Sequence, residues 1–329
     1  MEVITLKTCK RFLYHPFVAT LLLSLWIFNL MPATAGQAAE SRPLKIALLP
    51  ILDALPFYVA EKNGYFHENQ VAVKAIPVGS GLERDQLMQA GEIDGMLNEM
   101  ISAANFNRHK IQVKIIAAAR KAYPDFPLFR ILAAPGSGID SVDKLSGKSI
   151  GISRNTIIEY VTDRLLAEEN LPLQDVKMKS IPVIPERYQL LMQGRIQAAT
   201  LPDPLAKSAM VAGAGLILDD SMHTRFSVSV LTFAIQTLDR RPTAVRAFLR
   251  AWDRAAADIN ADPESYRGLL LKKIRVPKNV QATFRIPQYP RGEVPDKAQW
   301  SDVMEWMTAR NLIKAPLAYA ASVSRDFLP

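Results

Sequence analysis

Cysteine is nearly absent: Cys9 is the only one in 329 residues. A disulfide framework, a thiolate metal site and a cysteine nucleophile in the body of the chain are therefore excluded. Histidine is scarce too, with four copies, and His67, His109 and His223 lie in polar contexts without metal-ligand spacing. Neither a serine nucleophile elbow nor a phosphate loop occurs. These absences predict no catalytic residue, no metal and no cofactor. No run of five or more basic residues is present, so the formal charge of +8 is spread along the chain and predicts no nucleic-acid face.

A comfortable membrane span is also missing from the N-terminal region. The apolar run at 17–31 holds 15 residues and is interrupted by Asn29, short of the roughly 20 that a spanning helix needs. Lys7, Lys10 and Arg11 precede it and Ala33-Thr34-Ala35 follows, the order of a secretory signal with its cleavage site. Residues 1–35 are thus expected to be removed on export to the periplasm. Cys9 would leave with them, and the mature chain would carry neither thiol nor lipid-attachment cysteine. The remaining residues, 36–329, are too many for one comfortable core and suit two.

What is present is an alternation of strand-length apolar runs with helical patterns: 44–49, a helix near 56–63, 71–78, then a helix at 81–90. That is the βαβ grammar of a parallel sheet. Ser80 with Glu83 has capping-box spacing, and Gly64 and Gly91 stand where helices commonly stop. The grammar recurs at 148–152, in a helix headed by Thr156 with Glu159 and ended by Pro172, and at 176–183. An internal echo joins the two stretches. Leu87-Met88-Gln89-Ala90-Gly91-Glu92-Ile93-Asp94 resembles Leu191-Met192-Gln193-Gly194-Arg195-Ile196-Gln197, each a helix, a glycine stop and a strand. The first strand ends at Asn98-Glu99-Met100 and the second at Pro202-Asp203-Pro204, which predicts equivalent loops at the carboxyl ends of two sheets, where open α/β sheets bind ligands. Helical stripes follow at 243–259 and around Trp300, Met304 and Met307, and read as packing.

Several motifs together resemble the substrate-binding proteins of nitrate, sulfonate, taurine and thiamine-precursor ABC importers. They are Pro56-Phe57-Tyr58-Val59-Ala60 with Gly64-Tyr65-Phe66, then Gly91-Glu92-Ile93-Asp94, then the stretch from Ser141-Val142-Asp143 to Ser149-Ile150-Gly151, then the helix at 245–260 before Asp262-Pro263. The resemblance implies a type II periplasmic-binding fold: two α/β lobes joined by a two-crossing hinge, with lobe one at 36–133 and 227–329 and lobe two at 134–226. It further implies a monomer that holds a small molecule between the lobes and hands it to a membrane permease. Gln197 and the Pro202-Asp203-Pro204 loop depart from the family's usual pattern and leave the ligand class open. Two other readings remain beside transport: a sensory module that docks on a receptor, and an enzyme of pyrimidine or menaquinone synthesis on the same fold.

Under that implied fold, four segments converge on the cleft. After the first strand come Asp53 and Pro56, the aspartate serving as a ligand contact or a helix cap. Ser80 and Gly81 offer a hydroxyl and amides at the next turn, where capping is the competing role. Asn98 and Glu99 end the strand of the first echo, and a hydrated loop is their alternative. In lobe two, Ser153, Arg154, Asn155 and Thr156 form a polar turn suited to an anion or a hydrogen-bonding ring, while Asp203 sits between two prolines. Three acids (Asp53, Glu99 and Asp203) against one base (Arg154) lean toward a neutral or cationic nitrogen compound, with an anion as the alternative. Glu99 and Asp203 are expected to face each other across the closed cleft.

Overall fold

A computed structural model describes residues 42–329; the expected signal at 1–35 lies outside the described residues. Two five-stranded sheets organise the chain. The first contains β1 (Leu44–Leu48), β2 (Val73–Pro77), β3 (Gly95–Glu99), β4 (Val113–Lys121) and β10 (Val228–Ala234), in the order β2-β1-β3-β10-β4. The second contains β5 (Phe129–Ala133), β6 (Ser149–Ile152), β7 (Lys177–Ser180), β8 (Ala198–Pro202) and β9 (Gly215–Asp219), in the order β7-β6-β8-β5-β9. In each sheet three strands run parallel and the two beyond them are antiparallel to their neighbours. The α-helices are α1 (Leu55–Lys62), α2 (Tyr65–Glu68), α3 (Gly81–Gln89), α4 (Met100–Asn107), α5 (Ile157–Glu168), α6 (Ile184–Met192), α7 (Leu205–Val211), α8 (Ile235–Arg240), α9 (Pro242–Ala261), α10 (Arg267–Lys273), α11 (Lys297–Ala309) and α12 (Tyr319–Ser322).

The echo seen in the sequence is a topological repeat. α3 leads through Gly91 (φ +71°) into β3, and α6 leads through Gly194 (φ +66°) into β8. Both glycines adopt the left-handed conformation that closes a helix cheaply only without a Cβ. β3 and β8 each hold the third place in their sheet's order and pair in parallel with the strand in second place, β1 and β6. The two loops that follow them are therefore equivalent in topology.

One boundary needs correction. The expected crossing after Ala133 comes too late, because β5 pairs with β8 and β9 in the second sheet; the first crossing lies between Lys121 and Phe129. An apolar run such as Phe129–Ala133 suits either sheet, so hydrophobicity alone does not assign it. The chain returns to the first sheet between Asp219 and Val228.

The caps also differ in detail from a capping box. Ser80 Oγ accepts from the Glu83 amide at 3.2 Å, but the Glu83 carboxylate bonds the Gly79 amide at 2.7 Å. Thr156 Oγ1 takes the Ile158 amide, and Glu159 reaches the Asn155 amide at 2.6 Å. In both, the returning carboxylate lands one residue upstream of the cap. A complete box heads α11, between Asp296 and Gln299.

Packing explains why the halves stay together. On one face of the first sheet, α1, α2 and α9 bury Phe57, Phe66, Phe233, Phe248 and Trp252, with Phe66 and Phe248 stacked at 5.7 Å. A second cluster is shared by both lobes, joining Met100, Ile101, Val303 and Trp306 to Ile150, Ile158 and Tyr160. Two glycines allow close approach: a Cβ on Gly95 would lie 2.8 Å from the Phe233 ring, and one on Gly151 would lie 2.7 Å from Ile196. The aromatic and methionine residues of α11 are buried, as core.

Candidate functional site

The carboxyl ends of β1 to β3 and of β6 to β8 carry the polar residues singled out above. On lobe one, Asp53 is buried in the turn before α1 and pairs with Arg120 of β4 at 3.2 Å. Tyr289 closes over this pair, donating to the Leu52 carbonyl at 2.7 Å. Burial raises the Tyr289 hydroxyl far above its ordinary value, with Arg120 pulling it down and Asp53 pushing it up. Pro56 is buried in the first turn of α1. Ser80 and Gly81 head α3 near solvent, with Ser80 acting as its cap. Asn98 is buried and accepts from Thr232 Oγ1 at 2.5 Å, leaving its Nδ2 without a partner.

Glu99 ends β3 and caps α4, accepting from the Ile101 amide at 2.7 Å and the Ser102 amide at 3.1 Å. Its side chain lines a narrow crevice with Ile157 and Tyr160 of lobe two, Phe226 and Val303. Burial there pushes the carboxyl up to about 7, against the pull of Arg84 and the two amides.

On lobe two, Asp203 follows β8, bonds the Arg130 guanidinium and accepts from the Lys207 amide at 3.2 Å. Both acids expected to share a ligand thus have partners within the protein: Glu99 has its cap and apolar crevice, and Asp203 has an arginine. The polar turn after β6 is as expected in place but not in detail. Arg154 is exposed and lies on the Met178 carbonyl at 3.3 Å, over edge strand β7. Asn155 adopts φ +58°. Ser153 is buried and accepts from Arg187 Nη1 at 2.8 Å.

The arginines are what the residue count missed. Arg120, Arg130 and Arg187 are all buried, and with them the basic side of the cleft edge outweighs the single Arg154. Their signal is an arginine inside an otherwise apolar pattern: Arg120 after 115–119, Arg130 within β5, and Arg187 on the stripe of α6 formed with Ile184 and Leu191. A second missed residue is Asp220, fully buried at the return crossing, which accepts from the Leu128 and Phe129 amides at 2.8 and 3.0 Å. It ties one crossing to the other, and burial pushes its carboxyl up to about 6.

The lobes also touch on either side of this edge. Near the crossings, α5 meets α11: Trp306 Nε1 donates to Asp163 at 2.7 Å, Arg310 bonds Glu159 and Asp163 at 3.2 and 2.9 Å, and Arg164 bonds Asp302 at 3.0 Å. At α7, Ser208 Oγ donates to Asn279 Oδ1 at 2.8 Å while Asn279 Nδ2 donates to the Ser208 carbonyl at 3.0 Å. Among the described residues, no group of three or more His, Cys, Asp and Glu could hold a metal ion. Nor is any described helix long and apolar enough to cross a membrane.

Solved structures of similar fold include binding proteins and an enzyme. The aliphatic sulphonate binding protein SsuA of Escherichia coli superposes with a TM-score of 0.72 at 15% identity, over 86% of this chain and 92% of that one. The alkanesulfonate-binding SsuA of Xanthomonas axonopodis pv. citri, bound to MOPS, gives 0.71 at 15% identity over 87% and 99%. A cysteine-to-serine mutant of the desulfurization enzyme DszB, in complex with biphenyl-2-sulfinic acid, gives 0.65 at 15% identity over 87% and 97%. No curated protein matches the sequence. The NMT1/THI5 like family model matches residues 52–266, well over half of the chain, and the protein belongs to that family.

Proposed function

We propose that this protein is the extracytoplasmic solute-binding subunit of an ABC importer, capturing a small organic molecule between its lobes and presenting it to a membrane permease. The observation that carries this reading is the buried polar edge between two lobes that are linked by two crossings and touch through α7 and 278–280. A ligand that contacts both edges stabilises the touching form over an open one, which is how such a pair of lobes traps and releases a solute. The similarity to sulfonate-binding proteins supports the same role. The similarity to DszB keeps an enzyme in view, but the described residues contain no cysteine, so a cysteine nucleophile would have to come from elsewhere. Export through a cleaved signal would place the protein in the periplasm.

The lean toward a nitrogenous ligand loses much of its support, since Asp53 and Asp203 already face Arg120 and Arg130. The role as a binding protein does not depend on it. Native mass spectrometry of the protein purified from its own cell envelope tests the reading together with N-terminal sequencing. The expected result is a chain beginning near Gly36 with one small molecule retained per protein. A chain that keeps Met1 and turns over metabolites from a cell extract would favour the enzyme instead.

A further inference from the structure

We propose that lobe two carries a second small-molecule site, remote from the cleft edge: a polar hollow at the amino ends of β6 and β8 that takes one small oxyanion, a carboxylate, phosphate or sulfate. The hollow encloses about 290 Å³, and its lining includes Ser137, Lys148 and Gln197. Lys148 precedes β6 and Gln197 precedes β8, whereas Ser153 and Asp203 follow the same two strands at their other ends. The site is therefore separate from any solute held between the lobes, and it does not depend on the solute-binding reading.

The same corner of lobe one holds a carboxylate of the chain itself. Ile46 pairs with Gly95 and Ile150 with Ala198, so Asp94 and Gln197 stand at one register, each just before its strand. Asp94 Oδ2 accepts from the Lys45 amide and Gln197 Oε1 from the Ser149 amide, both at 2.9 Å. Their carbonyls accept from the amides of Ala234 and Ala134 at 3.1 and 2.9 Å, and Thr237 and Ser137 follow those alanines at the same distance along the chain. In lobe one Thr237 Oγ1 donates to Asp94 at 3.1 Å, with the Arg42 and Arg241 guanidiniums at 3.9 and 4.0 Å. Asp94 is buried there among its own donors.

Lobe two keeps the donors and lacks the acid. Gln197 is exposed where Asp94 is buried, and the space beside it is open. Its Oε1 is held by the Ser149 amide and by the Ser149 hydroxyl at 3.4 Å, so the two donors on Nε2 are the part of the amide left for a ligand. Ser137 Oγ accepts from the Ile139 amide at 3.4 Å, which leaves its hydrogen to donate. Lys148 supplies a cation with no carboxylate in the lining; Asp140, the acid closest along the chain to this turn, is bonded to Lys144 at 2.8 Å. An ammonium, a carboxamide and a hydroxyl without an acid among them match an acceptor-only group and repel a cation. The hollow falls just below the roughly 300–1,000 Å³ of pockets that take drug-sized ligands, which suits a small ion in the place that the Asp94 carboxylate fills in lobe one.

Amide chemical shifts followed by NMR during titration with acetate, inorganic phosphate and sulfate, with acetamide as the neutral control, test the proposal. The expected result is saturable movement of the Ser137, Lys148 and Gln197 amides with at least one anion and none with acetamide. Gln197→Asp keeps the acceptor for the Ser149 amide, as Asp94 does for Lys45, but puts a carboxylate in the hollow, so it should abolish binding while the melting temperature holds. Lys148→Ala should weaken binding about tenfold or more, and Lys144→Ala, outside the hollow, should leave it unchanged. If Gln197→Asp fails to fold, Lys148→Ala beside Lys144→Ala carries the comparison. Three results would overturn the proposal: no saturable shift with any of the anions, shifts confined to residues 153–156 at the cleft edge, or binding that survives both Gln197→Asp and Lys148→Ala.

Discussion

Glu99→Gln should leave the protein's stability unchanged in acid and raise it at alkaline pH. Burial against Ile157, Tyr160, Phe226 and Val303 moves the Glu99 carboxyl from its ordinary 4.5 to about 7. Between those values the folded chain holds a proton that the unfolded chain has released, so this group's contribution falls as pH rises through the window. Each unit is worth about 1.4 kcal/mol, giving about 3 kcal/mol of destabilisation above pH 7 and none below 4.5. Glu99 keeps some exposure, so screening trims this to about 2 kcal/mol. The charged and titratable groups around it are Arg84 and Asp85 from lobe one and Tyr160 from lobe two.

Glutamine carries no charge at any pH, and like the protonated carboxyl that the folded wild type holds below about pH 7 it offers one carbonyl acceptor to the two capping amides. The variant should therefore match the wild type at pH 4.5 and be about 2 kcal/mol more stable at pH 8. Urea unfolding at 25 °C across that range measures both. Asp220, pushed to about 6 by burial, titrates in both proteins and cancels in the difference. A stability difference that keeps one sign and size from pH 4.5 to 8 would refute the reasoning.

Three further outcomes follow from the packing. Arg130→Leu leaves the Asp203 carboxylate without its partner in a nearly buried site, and should cost about 3 kcal/mol in chemical denaturation, whereas Asp203→Asn, which keeps an acceptor for the Lys207 amide, should cost less. Gly151→Ala forces its new Cβ against Ile196 and the Arg187 stem, and should lower stability by about 1 to 3 kcal/mol in the same assay. Asn279→Ala removes two hydrogen bonds that join the lobes, worth about 1 kcal/mol in the closed form, so calorimetry with the bound solute should show affinity about fivefold weaker with the melting temperature of the ligand-free protein nearly unchanged.

The repeat was legible because it rests on local signals. Gly91 and Gly194 close helices in a conformation that favours glycine, and the strands after them follow by periodicity. Placing β5 in its sheet depended on long-range pairing with β8 and β9, which a five-residue apolar run does not encode. The same limit governed the site. Asp53, Glu99 and Asp203 were found as residues at strand ends, but their partners stand 67 residues away for Asp53 and 73 for Asp203. Charge counted along the sequence therefore gave an acidic cleft, where the folded chain pairs two of those acids with arginines. Arg187 was visible as a charge on an apolar helix face. What it lacks, a carboxylate, emerges only once the chain is folded.

The central claim is that a solute is held between the lobes, and a disulfide across them tests it directly. Ser208→Cys with Asn279→Cys places two thiols where the native side chains meet at 2.8 Å; Cys9, the one native cysteine, falls in the segment expected to be cleaved. Protein isolated with its native solute would be oxidised, dialysed exhaustively and weighed by native mass spectrometry beside the reduced form. The oxidised protein should retain the solute in full and the reduced form should lose it. Equal loss from both forms would show that the solute does not lie between the lobes.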